Sequence, residues 1–183
     1  VLKSICDVLS GPAVTCFPLV TLTRGALVAP VREPDEKGWI RVELPDGREG
    51  YTKSSFLGEY YEKPVFDQED ALRSAIVNSA LGTHYRWGGK TPMGIDCSGL
   101  ASMAYLLNGV VIWRDASIKE GFPLHEIPRE RMKPGDLLFF PGHVAVYIGG
   151  GEFVHSTAFP GSDGVVLNSL DPGHPRYRLD LDK

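Results

Sequence analysis

The sequence predicts an α+β domain preceded by a small all-β module, on three observations. Up to about Gly58 the chain runs as short apolar-polar alternations broken by turn residues; from Glu69 the apolar spacing becomes helical; and short β-rich runs follow the helical part. Helices first with an antiparallel sheet after them define the α+β class. The expected boundaries are 1–58 for the small module, 59–68 for a linker and 69–183 for the larger domain.

In the first module, Gly38-Trp39-Ile40-Arg41-Val42-Glu43-Leu44 alternates large apolar with polar residues. It turns at Pro45-Asp46-Gly47 and returns as Arg48-Glu49-Gly50-Tyr51, which predicts a hairpin in a small barrel. The polar, aromatic stretch Glu59 to Gln68, with Lys63-Pro64 inside it, has linker composition. Beyond it, Leu72, Ile76, Val77, Ala80 and Leu81 lie at helical spacing and Gly82 supplies the stop. A second helix is expected to begin near Asp96, to bury Leu100, Ala101, Ala104 and Leu107, and to end at Asn108-Gly109. Strands are expected over Asp136 to Phe140, His143 to Ile148, Glu152 to Ser156 and Val165 to Leu170, divided by glycine and proline turns.

The 183 residues are 43% hydrophobic, enough for a buried core. A formal charge of -4 with 19 scattered basic residues argues against a nucleic-acid partner, which needs clustered Lys and Arg. No run approaches the roughly 18 apolar residues of a membrane helix, so a soluble chain without membrane insertion is expected, and a monomer. Val1-Leu2-Lys3-Ser4 carries no targeting pattern, and as the chain does not begin with Met, this decides nothing about export.

Three cysteines leave at least one unpaired. Cys6 and Cys16 have apolar neighbours and are expected to be buried and inert. Asp96-Cys97-Ser98-Gly99 instead places a thiol in the first turn of the second helix, where unpaired backbone N–H groups and the helix dipole favour the thiolate. His143 opens a strand after Pro141-Gly142, and His155 lies on the next strand, so a hairpin can hold the imidazoles side by side. One would take the thiol proton and the other would fix its tautomer, in the order cysteine, histidine, polar residue. Each histidine alone fits a satisfied, partly buried residue; the joint pattern points to catalysis. His84, His125 and His174 have no such setting and are expected on the surface or in loops, while Trp87 is expected in the core. A zinc site built from Cys97, His143 and His155 is the chemical rival, although no C-x-x-C or H-E-x-x-H pair accompanies it.

Tyr85-Arg86-Trp87-Gly88-Gly89, Gly94-Ile95-Asp96-Cys97-Ser98-Gly99-Leu100, Pro134-Gly135-Asp136-Leu137, Gly142-His143-Val144-Ala145 and Phe153-Val154-His155-Ser156 together resemble the motif series of NlpC-type cell-wall cysteine peptidases. The resemblance spans about Glu69 to Leu181, and Gly38 to Leu57 resembles part of bacterial SH3-like domains. It implies a papain-like α+β catalytic domain that needs no cofactor. The implied substrate is the peptidoglycan stem peptide, L-Ala-γ-D-Glu-diamino acid, cut between γ-D-glutamate and diaminopimelate or lysine. By position Cys97 matches the nucleophile, His143 the base, His155 the third polar residue and Tyr85 an oxyanion-site tyrosine. The place of action implied is the bacterial cell envelope or the exterior, with cytoplasmic peptide recycling as the alternative.

In members with an SH3-like module, that module walls one end of the cleft and a free N-terminal L-Ala is recognised. Asp96, Ser98 and the Arg114-Asp115 pair match that pocket, Tyr51 is a candidate from the barrel, and Ala116 stands where the family often has Ser. Asp96 as a helix cap, Ser98 as a first-turn residue and Asp115 as a salt-bridge partner are equally compatible with the sequence. Two other functions stay open: a non-catalytic wall-binding protein, and an amidase or acyltransferase on another substrate.

Overall fold

The computed structural model describes residues 1–65 and 80–181. Two compact units divide the chain, Val1–Tyr60 and Tyr61–Lys183.

The first unit is an antiparallel sheet of β1 (Ile5–Leu9), β2 (Pro18–Thr23), β3 (Ala29–Pro30), β4 (Trp39–Glu43) and β5 (Glu49–Lys53), in the order β2-β1-β5-β4-β3. The β4–β5 hairpin pairs Trp39 with Lys53 and Glu43 with Glu49, and Gly47 takes the positive φ of +81° that its turn demands. Val8, Ile40, Val42 and Leu44 form its core. Cys6 is buried there against Thr52 Oγ1 at 3.2 Å. Cys16, expected to be buried, is half-exposed because it lies in the β1–β2 loop, its N–H donating to Ala13 O.

In the second unit, a short hairpin of β6 (Lys90–Thr91) and β7 (Gly94–Ile95) leads into α1 (Cys97–Leu106). An antiparallel sheet follows, made of β8 (Leu137–Phe140), β9 (His143–Gly149), β10 (Glu152–Thr157) and β11 (Gly164–Ser169) in the order β11-β10-β9-β8. The helix packs on β9 and β10. Ile95, Leu100, Ala101 and Ala104 meet Val144, Val146, Val154 and Val165 in the core, each large side chain contributing about 1.5–3 kcal/mol of burial. Leu107, expected in the core, is half-buried because α1 ends at Leu106; Tyr105 is buried instead and donates to Gly135 O at 2.9 Å. Most of the expected first helix, including Leu72, Ile76 and Val77, lies outside the described residues. Among the described residues no helix is long and apolar enough to cross a membrane.

A close backbone contact sets the approach to α1. Gly89 O accepts from Asp96 N–H at 3.1 Å, and a Cβ on Gly99 would meet that same oxygen at 2.1 Å. Only glycine lets the first turn of α1 sit against the preceding loop. Gly99→Ala is therefore expected to lower the stability of this unit by about 1–3 kcal/mol. An unchanged midpoint in denaturant unfolding would contradict the contact.

Candidate active site

Asp96 is the N-cap of α1. Its Oδ1 accepts from Gly99 N–H at 2.6 Å, which satisfies one of the unpaired donors of the first turn. Its Oδ2 accepts from Gly88 N–H at 2.7 Å and from Arg114 Nη2 at 3.0 Å. Burial alone would raise the Asp96 pKa, but the Arg114 hydrogen bond and the Gly99 and Gly88 N–H groups outweigh it and hold the carboxyl below the ordinary carboxylate value. Arg114 Nη1 also donates to Ser98 Oγ at 2.7 Å. Arg114, Asp96 and Ser98 thus form one cluster, while the exposed Asp115 stands outside it.

This arrangement puts Cys97 at the first position of α1, only 8% exposed and packed in the core face of the helix. Ser156, next to His155, donates through Oγ to Ile95 O at 2.6 Å. That bond ties the histidine-bearing strand to the segment that leads into Cys97.

The β9–β10 register pairs Val154 with Val146, which sets His143 diagonal to His155, within reach of long side chains. His143 Nε2 and His155 Nδ1 are 2.6 Å apart, and the rings meet edge-on. His155 is fully buried, and its Nε2 lies 2.8 Å from Asn168 Oδ1 on β11. Asn168 is again diagonal, since His155 pairs with Val166.

The far end of this chain determines where its protons sit. Asn168 Nδ2 donates to Arg176 O at 2.7 Å, so Oδ1 is the atom that faces His155 and can only accept. His155 Nε2 therefore carries hydrogen. In neutral His155 the Nδ1 is then a bare acceptor, and His143 Nε2–H donates to it. Neutral His143 is left with its lone pair on Nδ1. Both imidazoles are neutral at pH 7: burial is the main cause that lowers each pKa from 6.5 to about 4. Arg178 lowers both further and Asp180 opposes it, while the Asn168 hydrogen bond partly offsets the effect at His155.

Tyr85 lies beside Ile95 in a β-bridge, two residues before Cys97. Its phenol is held protonated by burial and by the neighbouring Cys97 and Asp96, against a smaller opposing effect of Arg114. Trp87, expected in the core, is 88% exposed. It occupies the tip of a turn closed by Gly89 N–H to Arg86 O, with Gly88 at φ +75° and pinned from below by Asp96, so the indole projects outward. Tyr51 lies on β5 of the first unit and is half-buried. His84 and His125 are exposed and His174 is half-buried.

Among the described residues, no three His, Cys, Asp or Glu side chains gather in a way that could hold a metal ion. Among the described residues no hydrogen bond joins Cys97 to His143; α1, which begins at Cys97, packs on β9, which begins at His143. Asn168 was not singled out in the sequence; its signal is a polar residue that directly follows the apolar run Val165-Val166-Leu167 on β11 and is buried.

The chain belongs to the NlpC/P60 family, whose model matches residues 82–180. It is 48% identical over 180 residues to dipeptidyl-peptidase 6 of Lysinibacillus sphaericus, covering 96% of this chain and 65% of that protein. It is 38% identical over 125 residues to the γ-D-glutamyl-L-lysine dipeptidyl-peptidase of Bacillus subtilis (strain 168), covering 58% of this chain and 41% of that one. The chain therefore spans about two fifths to just under two thirds of these relatives' lengths. A crystal structure of an NlpC/P60 family protein from Bacillus cereus ATCC 10987 shares the fold at a TM-score of 0.71 and 24% identity, covering 94% of this chain and 58% of that one.

The two depressed histidines make stability depend on pH. Between pH 6.5 and about 4 the unfolded chain binds protons that the folded histidines refuse, so stability is full above 6.5 and is lost as pH falls toward about 4. Unfolding free energy measured in urea at pH 7 and pH 5 is expected to be lower at pH 5; equal values would contradict the buried neutral pair.

Proposed function

We propose that this chain is a cysteine peptidase that hydrolyses the bond between γ-D-glutamate and an L-diamino acid in peptidoglycan stem peptides. The observation that carries the proposal is the hydrogen-bonded series His143, His155, Asn168, which leaves His143 with a basic Nδ1 on a strand packed against the helix that begins with Cys97. A structural histidine pair has no need of a chain that specifies a single tautomer. The names of the two relatives support the substrate class: one is a dipeptidyl-peptidase and the other a γ-D-glutamyl-L-lysine dipeptidyl-peptidase.

In this mechanism His143 Nδ1 takes the Cys97 proton and the thiolate attacks the γ-carbonyl. The Cys97 backbone N–H and the Tyr85 hydroxyl hold the oxyanion. His143 returns the proton to the leaving amine, and water then hydrolyses the thioester. His155 and Asn168 keep His143 in the right tautomer. Both imidazoles are neutral, so the base is available well below pH 6.5. The first unit, with five short antiparallel strands, is read as SH3-like. Action on wall peptides places the protein at the envelope or in the breakdown of released wall fragments.

The test is hydrolysis of L-Ala-γ-D-Glu-diaminopimelate by wild type and Cys97→Ala. A loss of at least about 1000-fold in kcat/KM with the fold intact is expected; substantial turnover by Cys97→Ala would end the proposal. The free N-terminus is a separate matter. The Asp96 carboxylate already accepts from Gly88, Gly99 and Arg114, so the exposed Asp115 is the better candidate to receive the substrate ammonium. Acetylating the tripeptide is expected to lower kcat/KM by about tenfold to a hundredfold. Equal values for the two peptides would remove the ammonium pocket and leave the Cys97 chemistry standing.

A further inference from the structure

A single guanidinium reaches both neighbours of Cys97. Arg114 Nη1 donates to Ser98 Oγ at 2.7 Å and Nη2 donates to Asp96 Oδ2 at 3.0 Å, so its two terminal nitrogens end on the residues immediately after and before the cysteine. Nη2 also donates to Gly89 O at 3.4 Å, the same oxygen that takes the Asp96 N–H. The Ser98 hydroxyl in turn donates to Asp96 Oδ1 at 3.4 Å, which closes a ring of three side chains linking the two sides of Cys97. Asp96 and Ser98 are both buried. The backbone that carries the arginine is anchored as well: Ile112 lies in the core, Ala116 packs against it, and the Trp113 ring meets the Phe122 ring edge-on at 5.3 Å.

The division of these donors is unlike that of a simple ion pair. A guanidinium that only balances a carboxylate is best served by giving parallel N–H groups to both of its oxygens. Here the carboxylate receives one terminal nitrogen, its Oδ1 being taken by Gly99 N–H, and the other nitrogen crosses to a serine that has no charge to balance. A planar fork bonded at both ends resists rotation of the turn between them. That turn holds the Cys97 thiol and the Cys97 backbone N–H, the nucleophile and an oxyanion donor of the mechanism above.

We infer that Arg114 is a positioning residue for Cys97: its guanidinium bridges Asp96 and Ser98 and so fixes the thiol and the backbone N–H that lie between them. The inference rests on the reading of Cys97 as the nucleophile. Groups held in this way matter most as the tetrahedral intermediate forms, so losing the bridge lowers kcat more than it changes KM. Charge and bridge are separable by substitution. Arg114→Lys keeps a cation for Asp96 but lacks the planar fork, and Ser98→Ala keeps the Asp96–Arg114 pair while removing the other limb.

The test measures kcat and KM for L-Ala-γ-D-Glu-diaminopimelate, together with unfolding in urea, for wild type, Arg114→Lys, Arg114→Met, Ser98→Ala and the double variant Arg114→Met/Ser98→Ala. Arg114→Met is expected to lose about tenfold to a hundredfold in kcat and Arg114→Lys at least about tenfold, with KM within about twofold of wild type in both. Arg114→Lys is expected to regain stability that Arg114→Met loses without regaining kcat, a split that a purely structural ion pair does not produce. Ser98→Ala is expected to lower kcat in the wild-type background and to have no further effect in Arg114→Met, because its limb is already gone. Wild-type kcat in Arg114→Lys, independent effects of the Arg114 and Ser98 substitutions, or a raised KM at unchanged kcat would overturn the inference. If Arg114→Met does not fold, Arg114→Lys and Ser98→Ala decide it, since both must lower kcat. Cys97→Ala separates the two claims. An active Cys97→Ala removes the nucleophile itself, whereas an inactive one beside a fully active Arg114→Lys removes only the role of Arg114.

Discussion

The carboxylate of Asp96 joins three segments, the Gly88 loop, the first turn of α1 and Arg114. Each of these partners is a donor, and together they keep a buried charge ionised where desolvation alone would protonate it. Breaking a buried pair by removing one partner commonly costs about 3–5 kcal/mol, because the other charge stays behind uncompensated. The position of Cys97 follows from this knot: it is the residue after the cap, on a helix whose entry angle is fixed by Asp96 and by the Gly89–Gly99 contact. The Ser156 bond to Ile95 carries the same constraint across to β10, so the thiol and the histidines are held by one connected framework.

Against that framework the histidine pair is an unusual use of burial. Two ionisable rings lie against Phe140 and Phe153, and burial drives both to the neutral form. Neutrality alone would leave each tautomer undefined. The fixed acceptor at Asn168, itself oriented by the Arg176 carbonyl, propagates one direction of hydrogen bonding outward to His143. Backbone geometry at the C-terminal segment thereby determines which nitrogen is basic at the other end.

Much of this was legible in the residues. The β4–β5 hairpin, the start of α1 at Asp96 and Cys97, and strands β8 to β11 follow from local turn chemistry and period, which depend on neighbours a few positions away. The pairing of His143 with His155 was legible too, since a short turn between two strands leaves few registers. The error at Trp87 has the opposite origin. An aromatic residue in an apolar-looking motif suggests the core, but the turn closed by Arg86 and Gly89 points it into solvent. Leu107 failed similarly, through the point at which α1 ends.

What the sequence by itself determined is the set of local elements and the residue types able to do thiol chemistry, because propensity, capping and alternation act over short separations. Only the tertiary structure decided that Asn168 completes the histidine series, that Arg114 serves Asp96 rather than its neighbour Asp115, and that Arg178 is buried over the Phe159 ring. These are contacts between positions 10 to 20 or more residues apart or on different strands, and no periodic signal marks them. Hydrogen bonding and burial at such separations exist only once the sheet has closed and removed water from between the partners.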